Sequence, residues 1–279
     1  MGFKSVLKVV VVLTLGIVSA VLVAKFRLER KKDRLVEDLL GNADAEPDRV
    51  FTKDDLNGLP DPVREYLSSV LTEGRPYVRT VCLKQSGELR LGDENWKPFT
   101  ATQHFTVDPP GFIWDAKIKV APLVPVRVLD MYKNGEGSLQ GKLLSLFTVA
   151  KAKPSPGMSS GELIRYLGER IWFPTSLLPS EGVEWEPIDD SSARATLEHK
   201  GTTASAVFHF NDRNEVERVV SEGRYRQEED GFEPWTGYFR DYEERNGMLV
   251  PLDAEAEWNM PDGDLPYWRG SVEEIEHRP

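Results

Sequence analysis

From Tyr77 to the C-terminal residues, apolar and polar side chains alternate in short runs, and glycine or asparagine separates one run from the next. A period of two places successive side chains on opposite faces of a strand. In "FTATQHFTV" this puts Phe99, Ala101, Gln103, Phe105 and Val107 on one face. In "GFIWDAKIKV" it aligns Phe112, Trp114, Ala116, Ile118 and Val120. "VRVLDMYKNGEGSLQGKLLSLFTVA" reads as a hairpin turning at Asn134-Gly135, and a second turn falls at Asn246-Gly247. Another lies between Asn211 and Asn214. About ten such strands at short spacing predict an antiparallel meander rather than βαβ units.

One segment breaks this period. "GMSSGELIRYLGERIWFPTSLLP" carries Leu163, Ile164, Leu167 and Ile171 at helical spacing, and Pro174 ends the run. Arg165 and Glu169 fall nearly opposite that stripe, an i,i+4 pair expected on a solvated face. The first five residues fit G-x-S-x-G, but a nucleophile elbow needs a strand running straight into the serine, and "KAKPSP" intervenes. Ser159-Ser160-Gly161-Glu162 reads instead as a capping box opening a helix over about residues 159–173. A lone amphipathic helix must lay its stripe on the sheet. The expected fold is therefore α+β: a curved, half-barrel-like antiparallel sheet with a helix on its concave face.

The N-terminus is a separate region. An uncharged run from Val9 to Ala24 lies between Lys8 and Lys25, followed by the basic "KFRLERKKDR". Sixteen helical residues give roughly 24 Å, short of a ~30 Å hydrocarbon core. Val6, Leu7 and Phe26, with the flanking lysines snorkelling outward, supply the missing length. The rival is a cleaved signal peptide with "VSA" at Val18–Ala20 as its site, but four more apolar residues follow and no cysteine stands there for lipid attachment. Residues 1–34 are expected to be an anchor with a basic juxtamembrane segment, 35–58 a linker containing "GNADAEPD", and 59–279 the β domain. Within the last, "LPDPVREYLSSVL" predicts a short helix with Asp61 as cap, Pro62 first, and Val63, Tyr66, Leu67 and Val70 along one face. The cation excess after the span favours a cytoplasmic domain, while short basic tails before a span also stay inside; the side is left open.

Residues 1–34 carry eight Lys/Arg against Glu29 and Asp33, a net of +6, so a chain at −11 leaves −17 on residues 35–279. Such a domain is repelled by nucleic acid, while the basic patch is drawn to anionic lipid. The single Cys82 excludes an internal disulfide. With His104 it forms a conceivable thiol–base pair, yet no third orienting group is evident, and an inert buried thiol is favoured. His104, His199, His209 and His277 show no metal-ligand spacing, and His209 is read as a structural histidine on the opposite strand face from Phe208 and Phe210. Asp189-Asp190 and Asp262-Gly263-Asp264 read as turns. Neither a metal nor a cofactor is expected, and no catalytic residue stands out.

Aromatic residues are the unusual content. Trp235 and Phe239 are expected on one strand face and Tyr238 and Tyr242 on the other. A sheet core accounts for such rings, and so does an apolar pocket between a curved sheet and a helix. Trp114, Leu167, Ile171, Trp172, Trp235, Tyr238, Trp258 and Trp268 are the candidate lining residues.

"LPDPVREYL", "FTATQHFTVDPPGFIWDAKI", "GELIRYLGERIWFPTSLLP", "SARATLEHKG", "PWTGYF" and "PYWRGSVEEI" together resemble an uncharacterised family of bacterial and archaeal proteins that often carry one N-terminal span. The likeness covers roughly residues 59 to 276 and implies no activity. The order of elements is similar to that of lipoprotein-carrier half-barrels, in architecture alone. The expected function is a membrane-tethered domain binding an apolar ligand such as a lipid or acyl chain. A hydrolase and a protein-interaction scaffold are the alternatives.

Overall fold

The computed structural model describes residues 3–43, 49–92, 95–122 and 124–279. Thirteen strands follow the period-two pattern: β1 Thr80–Arg90, β2 Trp96–Thr106, β3 Gly111–Ala121, β4 Val124–Lys133, β5 Glu136–Leu143, β6 Phe147–Ala152, β7 Val183–Asp189, β8 Ser192–His199, β9 Thr202–Phe210, β10 Val216–Arg226, β11 Gly231–Arg245, β12 Met248–Met260 and β13 Gly263–Arg278. They form one open antiparallel sheet in the order β6-β5-β4-β3-β2-β1-β13-β12-β11-β10-β9-β8-β7. Two meanders thus meet at a single non-local seam, where Leu83 of β1 faces Ile275 of β13. Of the residues assigned to the apolar faces of β2 and β3, all are buried except the half-buried Val120. Asn134 and Gly135 turn with φ of 56° and 87°, as a tight hairpin requires.

Strand β7 is an edge strand whose Glu184, Glu186 and Pro187 hid it from a hydrophobic reading. One expected face assignment also changes. Asp241 sits at φ 54°, which breaks the alternation of β11, so Tyr242 packs against the core while Tyr238 faces away from it.

Helix α1 spans Phe3–Gly41, α2 Asp61–Val70 and α3 Pro156–Glu169. In α2, Val63, Tyr66, Leu67 and Val70 are buried as expected, but Pro60 is the cap and Asp61 lies inside the first turn, paired with Arg64. Helix α3 likewise starts earlier than the capping-box reading places it. Ser155 is its cap, accepting from the Met158 amide at 3.1 Å, and Pro156 takes the first position.

Helix α3 packs against β4 and β5 and also against β9 and β10. In the strand order β4 is third and β10 tenth, which in a flat sheet would separate them by roughly 34 Å. No single helix spans that gap. The sheet is therefore strongly curved, and both of its flanks reach α3.

On the other face, α1 lies against β2 and β3, with Leu28 and Leu39 buried. Arg127 of β4 bonds both Glu29 of α1 and Asp115 of β3, and Lys133 pairs with Asp38. The helix is continuous to Gly41, seven residues past the anchor boundary expected at residue 34. Of the expected linker, residues 44–48 lie outside the described residues. From Val10 onward α1 is apolar and long enough to cross a membrane, a property shared by anchors and signal sequences.

Candidate ligand-binding site

The polar edge of α3 does not face water. Arg165 reaches down to the sheet, donating to Asp130 of β4 at 2.7 Å and to Glu169 at 2.8 Å. Its guanidinium lies 4.8 Å from the Phe112 ring centre and 5.4 Å from that of Trp114. Gln103 donates to Glu169 at 2.7 Å. Glu162, one turn earlier, faces Arg224 of β10 at 3.5 Å. The expectation of a solvated Arg165–Glu169 face is corrected, because a helix gripped by both flanks of a curled sheet has no outer side to spare.

Burial dominates the electrostatics here. Glu162 is pushed up to about 8, by desolvation and then by the charge of Asp130, against the pull of Arg224 and Arg165. Burial raises Asp130 as well, opposed by the same two arginines. Gln103 Oε1, Asp130 Oδ1 and Glu162 Oε2 are buried without a hydrogen-bond donor, a crowding of acceptors that favours keeping a proton on Glu162. These carboxylates are enclosed: Glu162 is 5% exposed and Asp130 6%. They hold the helix on the sheet and offer no open face to a substrate.

The aromatic residues begin beside the last turn of α3, where Gly168 lies close to the Trp235 ring. Trp235, Ala256 and Trp258 form an apolar cluster separate from the main core, with Met260, Leu265, Tyr267 and Trp268 half-buried around it. Tyr267 is the hub. Its hydroxyl accepts from Trp235 Nε1 at 3.0 Å and from Arg224 at 2.9 Å, and its ring stacks on Trp258 with centres 5.7 Å apart. Trp268 touches Phe99, which touches Trp114, whose indole donates to Gln85. A ribbon of rings thus runs from β12 to β3. Two glycines let it lie flat, since a methyl at Gly237 would come within 2.8 Å of the Trp235 ring and one at Gly270 within 2.9 Å of Trp268.

Of the eight candidate residues, Trp114, Trp235, Trp258 and Trp268 join this ribbon. Leu167, Ile171 and Trp172 are sealed in the main core, Trp172 donating to the Pro251 carbonyl at 3.0 Å. Tyr238 lies on the other strand face, bonded to Glu257 at 2.8 Å. Arg224 and Tyr267 were not anticipated. Arg224 lies in a polar run and Tyr267 in the apolar "LPYW", and neither carries a local signal for their convergence.

The G-x-S-x-G segment has a packing origin. Ser159 is buried inside α3 and accepts from the Gly137 amide at 3.1 Å. A methyl on Gly157 would lie 2.5 Å from the Tyr225 ring, and one on Gly161 3.2 Å from the Tyr225 carbonyl. The two glycines bring α3 close to β10. Cys82 does stand opposite His104 across β1 and β2. Burial raises the thiol and lowers the imidazole, so neither is activated for thiolate chemistry. Among the described residues no cluster of His, Cys, Asp and Glu could hold a metal. Surface recesses of about 660 Å³ along α1 and 520 Å³ beside α2 lie away from the aromatic ribbon.

A family of unknown function, DUF6920, matches residues 57–277, close to the stretch over which the sequence resembles an uncharacterised family. No curated protein matches the chain. Among solved structures it is similar to a LolA superfamily protein from Nitrosomonas europaea, at 11% identity and a TM-score of 0.41, covering 78% of this chain and 92% of that one. It is also similar to a DUF1329 family protein from Desulfovibrio piger, at 12% identity and a TM-score of 0.42, covering 78% and 94%.

Proposed function

Because the chain belongs to the DUF6920 family of unknown function, no activity comes with membership, and we propose from its own residues that it is a membrane-tethered binding domain for a lipid or acyl chain. One observation carries this reading: Trp235, Ala256 and Trp258 form a second apolar cluster, beside the last turn of α3 at Gly168 and ringed by the half-buried Met260, Leu265, Tyr267 and Trp268. The half-buried rings of Tyr267 and Trp268, at the rim of the buried Trp235 and Trp258, suit an acyl chain, whose affinity rests on apolar area at roughly 25 cal/mol per Å². The enclosed carboxylates and the packed Ser159 speak against hydrolysis.

The test uses the full chain in detergent. Native mass spectrometry is expected to find a co-purifying lipid, and a brominated fatty acid is expected to quench indole emission saturably. The double variant Trp258→Ala, Trp268→Ala should weaken that quenching at least tenfold. Absence of both lipid and saturable quenching would discard the proposal.

A further inference from the structure

Helix α1 runs along the sheet rather than merely touching it. Leu39 packs at Gly111, the first residue of β3, and Asp38 pairs with Lys133, the last of β4. Ten residues earlier, Glu29 pairs with Arg127, which also holds Asp115, near the middle of the same strands. Followed towards its N-terminus, the helix heads for the end where β3 passes into β4, between Ala121 and Val124. Its apolar stretch leaves the domain there.

That end is unusual in two ways. Outside α1, seven large apolar side chains are exposed among the described residues, and four of them stand at this end of neighbouring hairpins. Leu146, Phe147 and Val149 are 37%, 59% and 55% exposed where β5 passes into β6, and Leu91 is 43% exposed just after β1. The charge also reverses locally. In a region that carries −17 over residues 35–279, residues 111–153 hold seven Lys/Arg against three Asp/Glu. At this end Lys119 is exposed beside the β3–β4 turn and Lys142 is half-buried beside the β5–β6 turn. The groove of about 660 Å³ on α1 adds Phe26, Arg27, Arg30 and Arg34 to the same side.

We infer that this end of β3–β6 seats on the surface of the bilayer that α1 crosses, with Phe147 and Val149 entering the headgroup–acyl boundary and Lys119 and Lys142 held against anionic lipid. The inference rests on the reading of α1 as a membrane span. Exposed rings and aliphatic groups flanked by cations are what an interfacial surface needs near an anionic leaflet. The seat also positions the aromatic ribbon. Trp268 touches Phe99, and Phe99 pairs across β2 and β3 with Ile118, close to the point where α1 departs. A lipid could then pass between bilayer and ribbon without crossing water.

The experiment uses the full chain carrying Cys82→Ser, in nanodiscs of phosphatidylcholine with or without phosphatidylglycerol. A fluorescent label on a cysteine at Phe147, Val149, Leu13 or Arg213 is read for quenching by brominated acyl chains. Arg213, 78% exposed at the far turn of β9 and β10, is the distal control, and Leu13 reports the span. The labels at Phe147 and Val149 are expected to be quenched at least threefold more than the one at Arg213. Phosphatidylglycerol should increase the difference, and Lys119→Glu with Lys142→Glu should remove that increase. If Leu13 is quenched and both rim labels behave like Arg213, the seat is refuted while the span stands. If Leu13 is also silent, span and seat both fail. Quenched rim labels with a silent Leu13 uphold the surface contact and reject the span.

Discussion

Replacing Glu162 by glutamine tests the buried ionic cluster directly. An unfolded glutamate titrates near 4.5, whereas Glu162 in the fold holds its proton up to about 8 because burial and the charge of Asp130 disfavour the anion. Its contribution to stability is therefore complete below pH 4.5 and is lost as pH rises towards 8. The span of 3.5 units amounts to roughly 5 kcal/mol at about 1.36 kcal/mol per unit. Roughly half of this is lost between pH 6 and 8.5. Glutamine does not titrate, so Glu162→Gln should lack this slope and gain on the parent as pH rises. Any fixed cost of removing the partner of Arg224 cancels from the slope. Thermal melts of the detergent-solubilised chain, followed by tryptophan emission, should show the variant gaining roughly 5–10 °C on the parent between those pH values. Asp130 shifts in the same direction but is present in both proteins. A difference in Tm that is the same at pH 6 and 8.5 would show that Glu162 is ionised throughout, and the picture of an enclosed, proton-bearing carboxylate would be wrong.

Arg127→Met removes the cation that joins α1 to the sheet and leaves the nearly buried Asp115 without its partner. A loss of about 3 kcal/mol is expected, with faster tryptic cleavage between Arg30 and Arg34 as α1 lifts off; unchanged cleavage would mean that Leu28, Leu39 and the Asp38–Lys133 pair hold the helix without Arg127. Gly137→Ala would drive a methyl to 2.5 Å from the Met158 carbonyl oxygen, so α3 must move off β5. It should cost about 1–3 kcal/mol in the same melts, and a variant as stable as the parent would show that the close approach is relaxed in solution.

The strands were legible in the sequence because each records its burial locally. Phe99 to Val107 alternate regardless of what packs above them. The tight turns at Asn134-Gly135 and Asn246-Gly247 were equally plain, since left-handed backbone demands those residues. Helix α3 was legible as a helix but not in its surroundings. Its stripe of Leu163, Ile164 and Leu167 is real, yet Glu162 and Arg165 are enclosed as well, and their partners Asp130 and Arg224 lie far away in sequence. Periodicity reports which residues share a face, whereas only the curvature of the sheet decides how many faces are covered. The same limit applied to the aromatic residues. Trp172 and Trp258 look alike as letters, but one is sealed beneath β12 and the other belongs to the separate cluster.

These two environments also determine where an apolar guest can enter. Lifting α3 would strand Arg165 from Asp130 and Arg224 from Glu162 while exposing the fully buried Leu163 and Leu167. Stripping a buried charge of its partner costs about 3–5 kcal/mol, so that route breaks several strong contacts at once. Parting Trp268 from Phe99 gives up a ring contact of about 0.5–1.5 kcal/mol, and parting Trp258 from Tyr267 a similar one beside its contacts with Arg224 and Arg226, faces on which an acyl chain would pack instead. The ionic cluster therefore fixes the helix and leaves the aromatic end as the compliant part of the sheet. A ligand that depends on lifting α3 would need an affinity that the ribbon alone does not require.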